Sequence, residues 1–264
     1  MNYELIKLNT ARNALRYVIR AFNINELYIP YYICPSIRNS IKKENCKINF
    51  YHIDESFYPT IKFPEKAYIL YPNYFGVCSK NVDKLSSEYP NLIVDNAHSF
   101  FSEPKGIACF NSLRKFFPNL RDGSFLYTSK TFDEDIVVDD YSYELKILSQ
   151  EEIIKNEYRL DYENIKIISN TTLNYFKNID FEKEKQRRFI SVQKLKEIYD
   201  NKNYLSISVD ANDFPFVYPF LAKDIIVAEK IVKSLSQETY RYWTNLPDSF
   251  IEKVFYSRLV PISL

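Results

Sequence analysis

What most constrains this chain is a rhythm of short apolar runs, bounded by turn residues and set apart by polar stretches long enough to be helices. The runs are ELYIPYYI, CKINFYHI, KAYILYP, NLIVD, GIACF and GSFLYT, and Pro35 to Asn45 and Asn81 to Glu88 are the clearest polar spacers. Strand-length runs alternating with helix-length spacers predict crossover units and a largely parallel sheet over residues 1 to 130, an α/β fold. The segment Thr10 to Phe22 places Ala11, Ala14, Leu15, Val18, Ile19 and Phe22 on one helical stripe, with Asn9 or Thr10 as its cap.

Past Asp140 the sequence becomes charged and helical. Its clearest helix is Phe181 to Tyr199, where Phe189, Val192, Leu195 and Tyr199 recur every three or four residues, and the charges from Glu182 through Arg188 read as a solvated face. LSISV and FPFVYPFLAKD then read as strands, DIIVAEKIVKSL as a helix, and the tail is LVPISL. This change divides the chain into a large α/β domain, residues 1–180, and a small α+β domain, residues 181–264.

Charge excludes more than it suggests. With 35 Lys and Arg against 34 Asp and Glu, the net charge is +1, so bulk electrostatics argue for neither nucleic acid nor an anionic membrane. No apolar run reaches membrane-spanning length and the N-terminal MNYELIKLNT is charged, so the expected compartment is the cytoplasm. Cys34, Cys46, Cys78 and Cys109 are too irregularly spaced for a zinc motif or a disulfide framework. The 23 Tyr and 20 Phe, spread over the strands, read as core rather than as a stacking surface. Glycine is scarce: Gly76, Gly106 and Gly123 stand where average usage would give roughly 18. Each survivor is expected to mark a positive φ or a close backbone approach.

Chemistry concentrates in IVDNAHSFF (93–101), GIACFNSLRKFF (106–117) and RDGS (121–124). In an open α/β sheet, ligands bind beyond the carboxyl ends of the strands, which is where Asp95 falls. Each residue alone has an ordinary alternative: Asp95 as a cap, His98 as a core histidine, Lys115 as a surface amine.

Together with TARNAL, IPYYIC…INFYHID and YRYW…RLVPISL, the run DNAHSFF…FNSLRKFF…DG resembles the DegT/DnrJ/StrS-type family of pyridoxal-phosphate-dependent sugar aminotransferases, over nearly the whole chain and in the family's order. The resemblance implies PLP-transferase fold type I: a mostly parallel sheet flanked by helices, with a small α+β C-terminal domain. It puts Lys115, seven residues before Asp122, at the Schiff-base lysine. Asp95 falls on the acid that pairs with the pyridine nitrogen, and His98 on the residue that contacts the cofactor's phenolic oxygen. Thr10 and Ala11 match the phosphate turn, and Ser112 lies near enough to Lys115 to add a hydroxyl. The chemistry fits those types. A lysine condenses with the cofactor aldehyde and then moves protons, and an aspartate keeps the ring nitrogen protonated, so that the ring withdraws electrons.

Departures from the family pattern are specific. The usual Gly-Thr of the phosphate turn is Ala11-Arg12, and the serine five residues before the lysine is Phe110. The aromatic ring that usually covers the cofactor is Cys34, leaving Tyr32 or another side chain to do so, and the histidine of the H-x-Y-G segment is Asn73. Arg12 is expected to neutralise the cofactor phosphate. The resemblance implies a homodimer using a nucleotide-linked keto sugar and an amino-acid donor, glutamate, in surface-polysaccharide or related sugar biosynthesis. One rival is a catalytically reduced protein of the same fold, a sugar-nucleotide binder or partner subunit. The other is a metal-dependent glycosyltransferase using Asp139-Asp140.

Overall fold

The computed structural model describes residues 2–120, 122–139, 151, 152, 155, 158–160, 163–235, 241–244 and 246–264. Arg121, Asp140 and Tyr240 lie outside the described residues.

Seven strands form the main sheet: β1 Glu4–Leu8, β2 Glu26–Pro30, β3 Lys47–Tyr51, β4 Ile69–Pro72, β5 Leu92–Asn96, β6 Ala108–Asn111 and β7 Ser124–Thr128. Their spatial order is β3-β2-β4-β5-β6-β7-β1, parallel from β3 to β6, with β7 antiparallel to both β6 and β1. The six apolar runs became β2 to β7. The sequence reading missed β1, since ELIKL mixes charges with apolar residues; it lies at an edge, where charges discourage further pairing.

Helices α1 Ala11–Phe22, α2 Pro35–Lys43 and α3 Ser79–Glu88 occupy crossovers, and the single turn α4 Leu113–Phe116 lies in the connection between the antiparallel neighbours β6 and β7. In α1, Thr10 Oγ1 accepts from the Asn13 N–H (3.1 Å) and Asn23 closes the helix at φ 52°. Because strand side chains alternate between faces, Leu70, Ile93, Ala108 and Leu126 join Leu15, Val18 and Ile41 in one core layer. Ile69, Tyr71, Leu92, Val94 and Cys109 face the other, with Val82 and Leu85 of α3.

α5 Asn170–Phe176 packs on a third cluster with Phe116, Phe117 and Phe125, and the second layer is closed by α6 Phe181–Tyr199, α7 Ile225–Ser234, α8 Lys253–Arg258 and an antiparallel pair, β8 Val217–Leu221 with β9 Leu259–Ser263. Val192, Phe220, Phe255 and Val260 share its core with Tyr32, Phe57 and Tyr74. Aromatics are thus mainly interior, as expected; Phe57, Tyr71, Tyr74, Phe75 and Tyr218 are each fully buried.

Two expectations need correction. LSISV is not a strand: its Leu205 N–H donates to Asn203 Oδ1 (3.1 Å) and its Val209 carbonyl accepts from Lys196 Nζ (2.7 Å), side-chain bonds that stand in place of a backbone ladder. The charged run of α6 is not solvated throughout, since Arg188 is buried, pairing with Glu184 (2.8 Å) and donating to the Pro215 (2.8 Å) and Phe216 (3.2 Å) carbonyls. All three glycines have positive φ: 83° at Gly76, 74° at Gly106 and 111° at Gly123.

Candidate active site

Asp95 sits at the carboxyl end of β5, between Pro72 of β4 and Phe110 of β6 in register. Its Oδ1 accepts from the Ala97 N–H (2.8 Å), and this tight turn aims the next residue, His98, back over the sheet. Gly76 permits that placement. A Cβ there would stand 2.3 Å from the His98 carbonyl oxygen, a backbone atom that cannot yield.

The His98 imidazole is nearly enclosed by rings: Phe216 at 4.9 Å, Phe75 at 5.8 Å and Trp243 at 6.0 Å, all close to parallel with it. Lys115, in the single turn of α4 after β6, meets it, with Nζ and Nε2 2.6 Å apart. Burial, then the nearby Lys115 charge, hold the imidazole pKa well below its ordinary value. A neutral ring therefore accepts from Lys115 through Nε2, which leaves its own proton on Nδ1.

The lysine and the aspartate are tuned together. Burial lowers the Lys115 pKa to about 8, with Arg114 adding to the fall, while Asp95 and Cys34 resist it. Burial raises Asp95 to about 6 against the opposing pull of the Ala97 N–H and Lys115. A deprotonatable amine near neutral pH beside a carboxylate is what carbonyl condensation and proton transfer require.

All the sequence-predicted site residues line one pocket: Thr10, Ala11 and Arg12 at the start of α1, Cys34 before α2, Asp95 and His98 after β5, Ser112 and Lys115 after β6. Ser112 makes no capping bond to α4. Thr10 Oγ1 accepts the capping bond of α1 and lines the pocket. Cys34 Sγ lies 3.0 Å from Ser36 Oγ. Arg12 is buried, its side chain part of the pocket wall.

Other members were not foreseen in those roles. Asp122 is fixed to the start of α5, where it accepts from the Ser169 N–H (3.1 Å) and from the Thr172 hydroxyl, so it shapes the Gly123 turn. Asn73, standing at the histidine position of the NYFG segment, accepts from the Cys78 N–H (2.9 Å) and donates to Asn96 Oδ1 (3.3 Å). Tyr32 does not cover the pocket: it is fully buried among Tyr74, Trp243 and Phe255. Trp243 lines the pocket instead. Its only sequence signal was its being the sole tryptophan, in a segment read for resemblance alone.

The carboxylate of Asp139 is engaged by Asn9 Nδ2 (2.7 Å), with Arg159 at 3.6 Å. Among the described residues no group of three or more His, Cys, Asp or Glu is arranged to hold a metal ion, and no helix is long and apolar enough to cross a membrane.

No family model and no curated protein matches the chain. Its fold does match solved structures. A DegT DnrJ EryC1 StrS aminotransferase from Brucella abortus shares it at a TM-score of 0.61 and 12% identity, over 99% of this chain and 80% of that one. Helicobacter pylori PseC, an aminotransferase involved in the biosynthesis of pseudoaminic acid, gives 0.61 at 15% identity, over 99% and 82% of the two chains. NtdA from Bacillus subtilis, solved with bound cofactor PMP, gives 0.59 at 11% identity, over 98% and 68%. The fold is therefore PLP-transferase fold type I, as the sequence resemblance implied.

Proposed function

We propose that the protein is a PLP-dependent aminotransferase that acts, as a cytoplasmic homodimer, on a keto sugar carried by a nucleotide, with an amino acid such as glutamate as donor, in surface-polysaccharide or related sugar biosynthesis. The observation that carries this reading is the buried Lys115–His98 contact of 2.6 Å beside Asp95, at the carboxyl ends of β5 and β6, in one pocket with the N-terminus of α1. The likeness to PseC supports the sugar substrate, and the resemblance of the sequence to the DegT/DnrJ/StrS-type family supports the dimer.

These residues fit the cofactor chemically. PLP supplies an aldehyde for covalent attachment and a ring that accepts electrons when its nitrogen is protonated. Lys115 offers the amine, and its lowered pKa leaves a useful neutral fraction near pH 8. Neutral His98 orients that amine. Asp95 keeps a proton on an opposing nitrogen through its negative charge. The Thr10 hydroxyl, the N-terminal end of α1 and the Arg12 guanidinium suit a phosphate.

Incubation with PLP, borohydride reduction and peptide mapping test the assignment. The label is expected on Lys115, with no attachment in Lys115→Ala. A label elsewhere, or none at saturating PLP, rejects it. The departures at Arg12, Phe110 and Cys34 favour a second reading, in which the Arg12 side chain fills the phosphate turn and the protein is a sugar-nucleotide binder of the same fold without turnover; it would bind a nucleotide sugar yet take no PLP onto Lys115.

A further inference from the structure

The pocket wall has a single large aromatic ring among the described residues, and it comes from far along the chain: Trp243. The position where the resemblance expects a covering ring holds Cys34, a thiol 3.0 Å from Ser36 Oγ, and the nearest alternative, Tyr32, is sealed in the core with its carbonyl bonded to the Tyr74 hydroxyl (2.9 Å). Three tyrosines meet the indole at steep angles, Tyr32 at 4.7 Å and 75°, Tyr74 at 5.9 Å and 65°, Tyr242 at 5.6 Å and 61°. Its plane lies within 3° of the His98 ring, so a flat ligand resting on the indole would lie parallel to the imidazole bonded to Lys115. The backbone at Trp243 has φ 52°, a conformation that costs a bulky side chain energy and that tends to persist at ligand clamps. The residue is only partly buried and lines the pocket.

We propose that Trp243 supplies the stacking face for the planar pyridine ring of the cofactor, taking over from the C-terminal segment the place that Cys34 leaves bare. The inference rests on the PLP reading above. It assigns the indole a ligand contact and makes the last quarter of the chain part of the cofactor site. Two flat π systems gain from offset stacking beyond the area they bury. Removal of a stacking aromatic beneath a planar heterocycle weakens binding on the order of 5- to 150-fold.

The test compares the wild type with Trp243→Phe, Trp243→Leu and Trp243→Ala, titrated with PLP by absorbance and with pyridoxine 5′-phosphate by calorimetry. The second probe has no aldehyde and cannot attach to Lys115, so it reads ring and phosphate contacts alone. Phe is expected to hold both affinities close to wild type, whereas Leu and Ala weaken both by about ten-fold or more. Leu keeps apolar volume without a ring, so equal affinity in Phe and Leu means that the side chain only packs, and overturns the proposal. Unchanged affinity in Ala overturns it too, while PLP attachment to Lys115 leaves the aminotransferase reading standing. Failure of wild type to bind either probe rejects both.

Discussion

Lys115 has a pH signature that an ordinary lysine lacks. Condensation with an aldehyde needs the neutral amine, and a pKa of about 8 makes that fraction rise about ten-fold between pH 7 and 9 and then level off, whereas an unshifted lysine would gain about 100-fold and continue rising. The rate of PLP attachment measured across pH 7 to 10 separates the two. Because the Asp95 charge raises the lysine pKa, Asp95→Asn is expected to move that midpoint below 8 and to abolish most turnover while retaining some cofactor. A midpoint that stays or rises, or undiminished transamination, removes Asp95 from this role. Arg12→Ala is expected to weaken PLP by about 1.5–3 kcal/mol, the scale of a hydrogen bond to a charged group, and to leave unphosphorylated pyridoxal unaffected. Tighter PLP binding in that variant would mean that the guanidinium obstructs the phosphate site, and would favour the binder without turnover.

Among the elements, α6 holds up the site without reaching it. Arg188 grips the Pro215 and Phe216 carbonyls, its guanidinium lies 4.3 Å from the Phe116 ring, and Phe216 in turn stacks on His98 at 4.9 Å. Burial lowers its pKa to about 10, so it stays charged at neutral pH. Arg188→Met leaves the Pro215 and Phe216 carbonyls without this donor, while Glu184 keeps Arg187 (2.7 Å), and is expected to cost about 1–3 kcal/mol by urea denaturation. Arg188→Lys should recover only part, since an ammonium cannot reproduce the guanidinium fork. A neutral Met variant would show that the clamp contributes nothing. At the Tyr74–Gly76 turn, Gly76→Ala puts a methyl against the His98 carbonyl at positive φ, and a stability loss of about 1–3 kcal/mol is expected together with weaker PLP attachment. Full attachment in that variant would show that the turn does not set the position of His98.

Over the whole molecule, the C-terminal part is tied across the sheet by buried polar contacts as well as by its core. Fully buried Glu252 accepts from the Ile53 N–H (3.0 Å) and lies 3.0 Å from His52 Nδ1, which fastens the approach to α8 onto the end of β3. Since the first helix, two middle strands and this C-terminal part all contribute pocket residues, PLP should stabilise the chain as one unit. A single melting transition rising with PLP concentration is expected, corresponding to about 2.7 kcal/mol at a hundred times the dissociation constant. A C-terminal transition that melts separately and ignores PLP would contradict this coupling.

Local pattern was enough for much of the fold. The rhythm of apolar runs located six of the seven main strands, the apolar stripe with a cap at Asn9 or Thr10 indicated α1, and Phe181–Tyr199 was legible to its ends, because those features depend on residues a turn or a pleat apart. The three glycines pointed to positive φ for the same reason, although Phe57, Phe75, Phe214 and Trp243 adopt positive φ without being glycine. The candidate site was legible as a set of residue types at family-like spacing around Asp95, His98 and Lys115. What the chain alone did not disclose was decided by contacts between distant segments. The burial of Arg188 depends on carbonyls 27 and 28 positions away. The shifted pKa values of Lys115 and Asp95 come from desolvation, which exists only once β5, β6 and α1 have closed a pocket. Trp243 enters that pocket because the C-terminal part folds back over the sheet, and no periodicity within its own segment records where a ring more than 120 positions from Lys115 will come to rest.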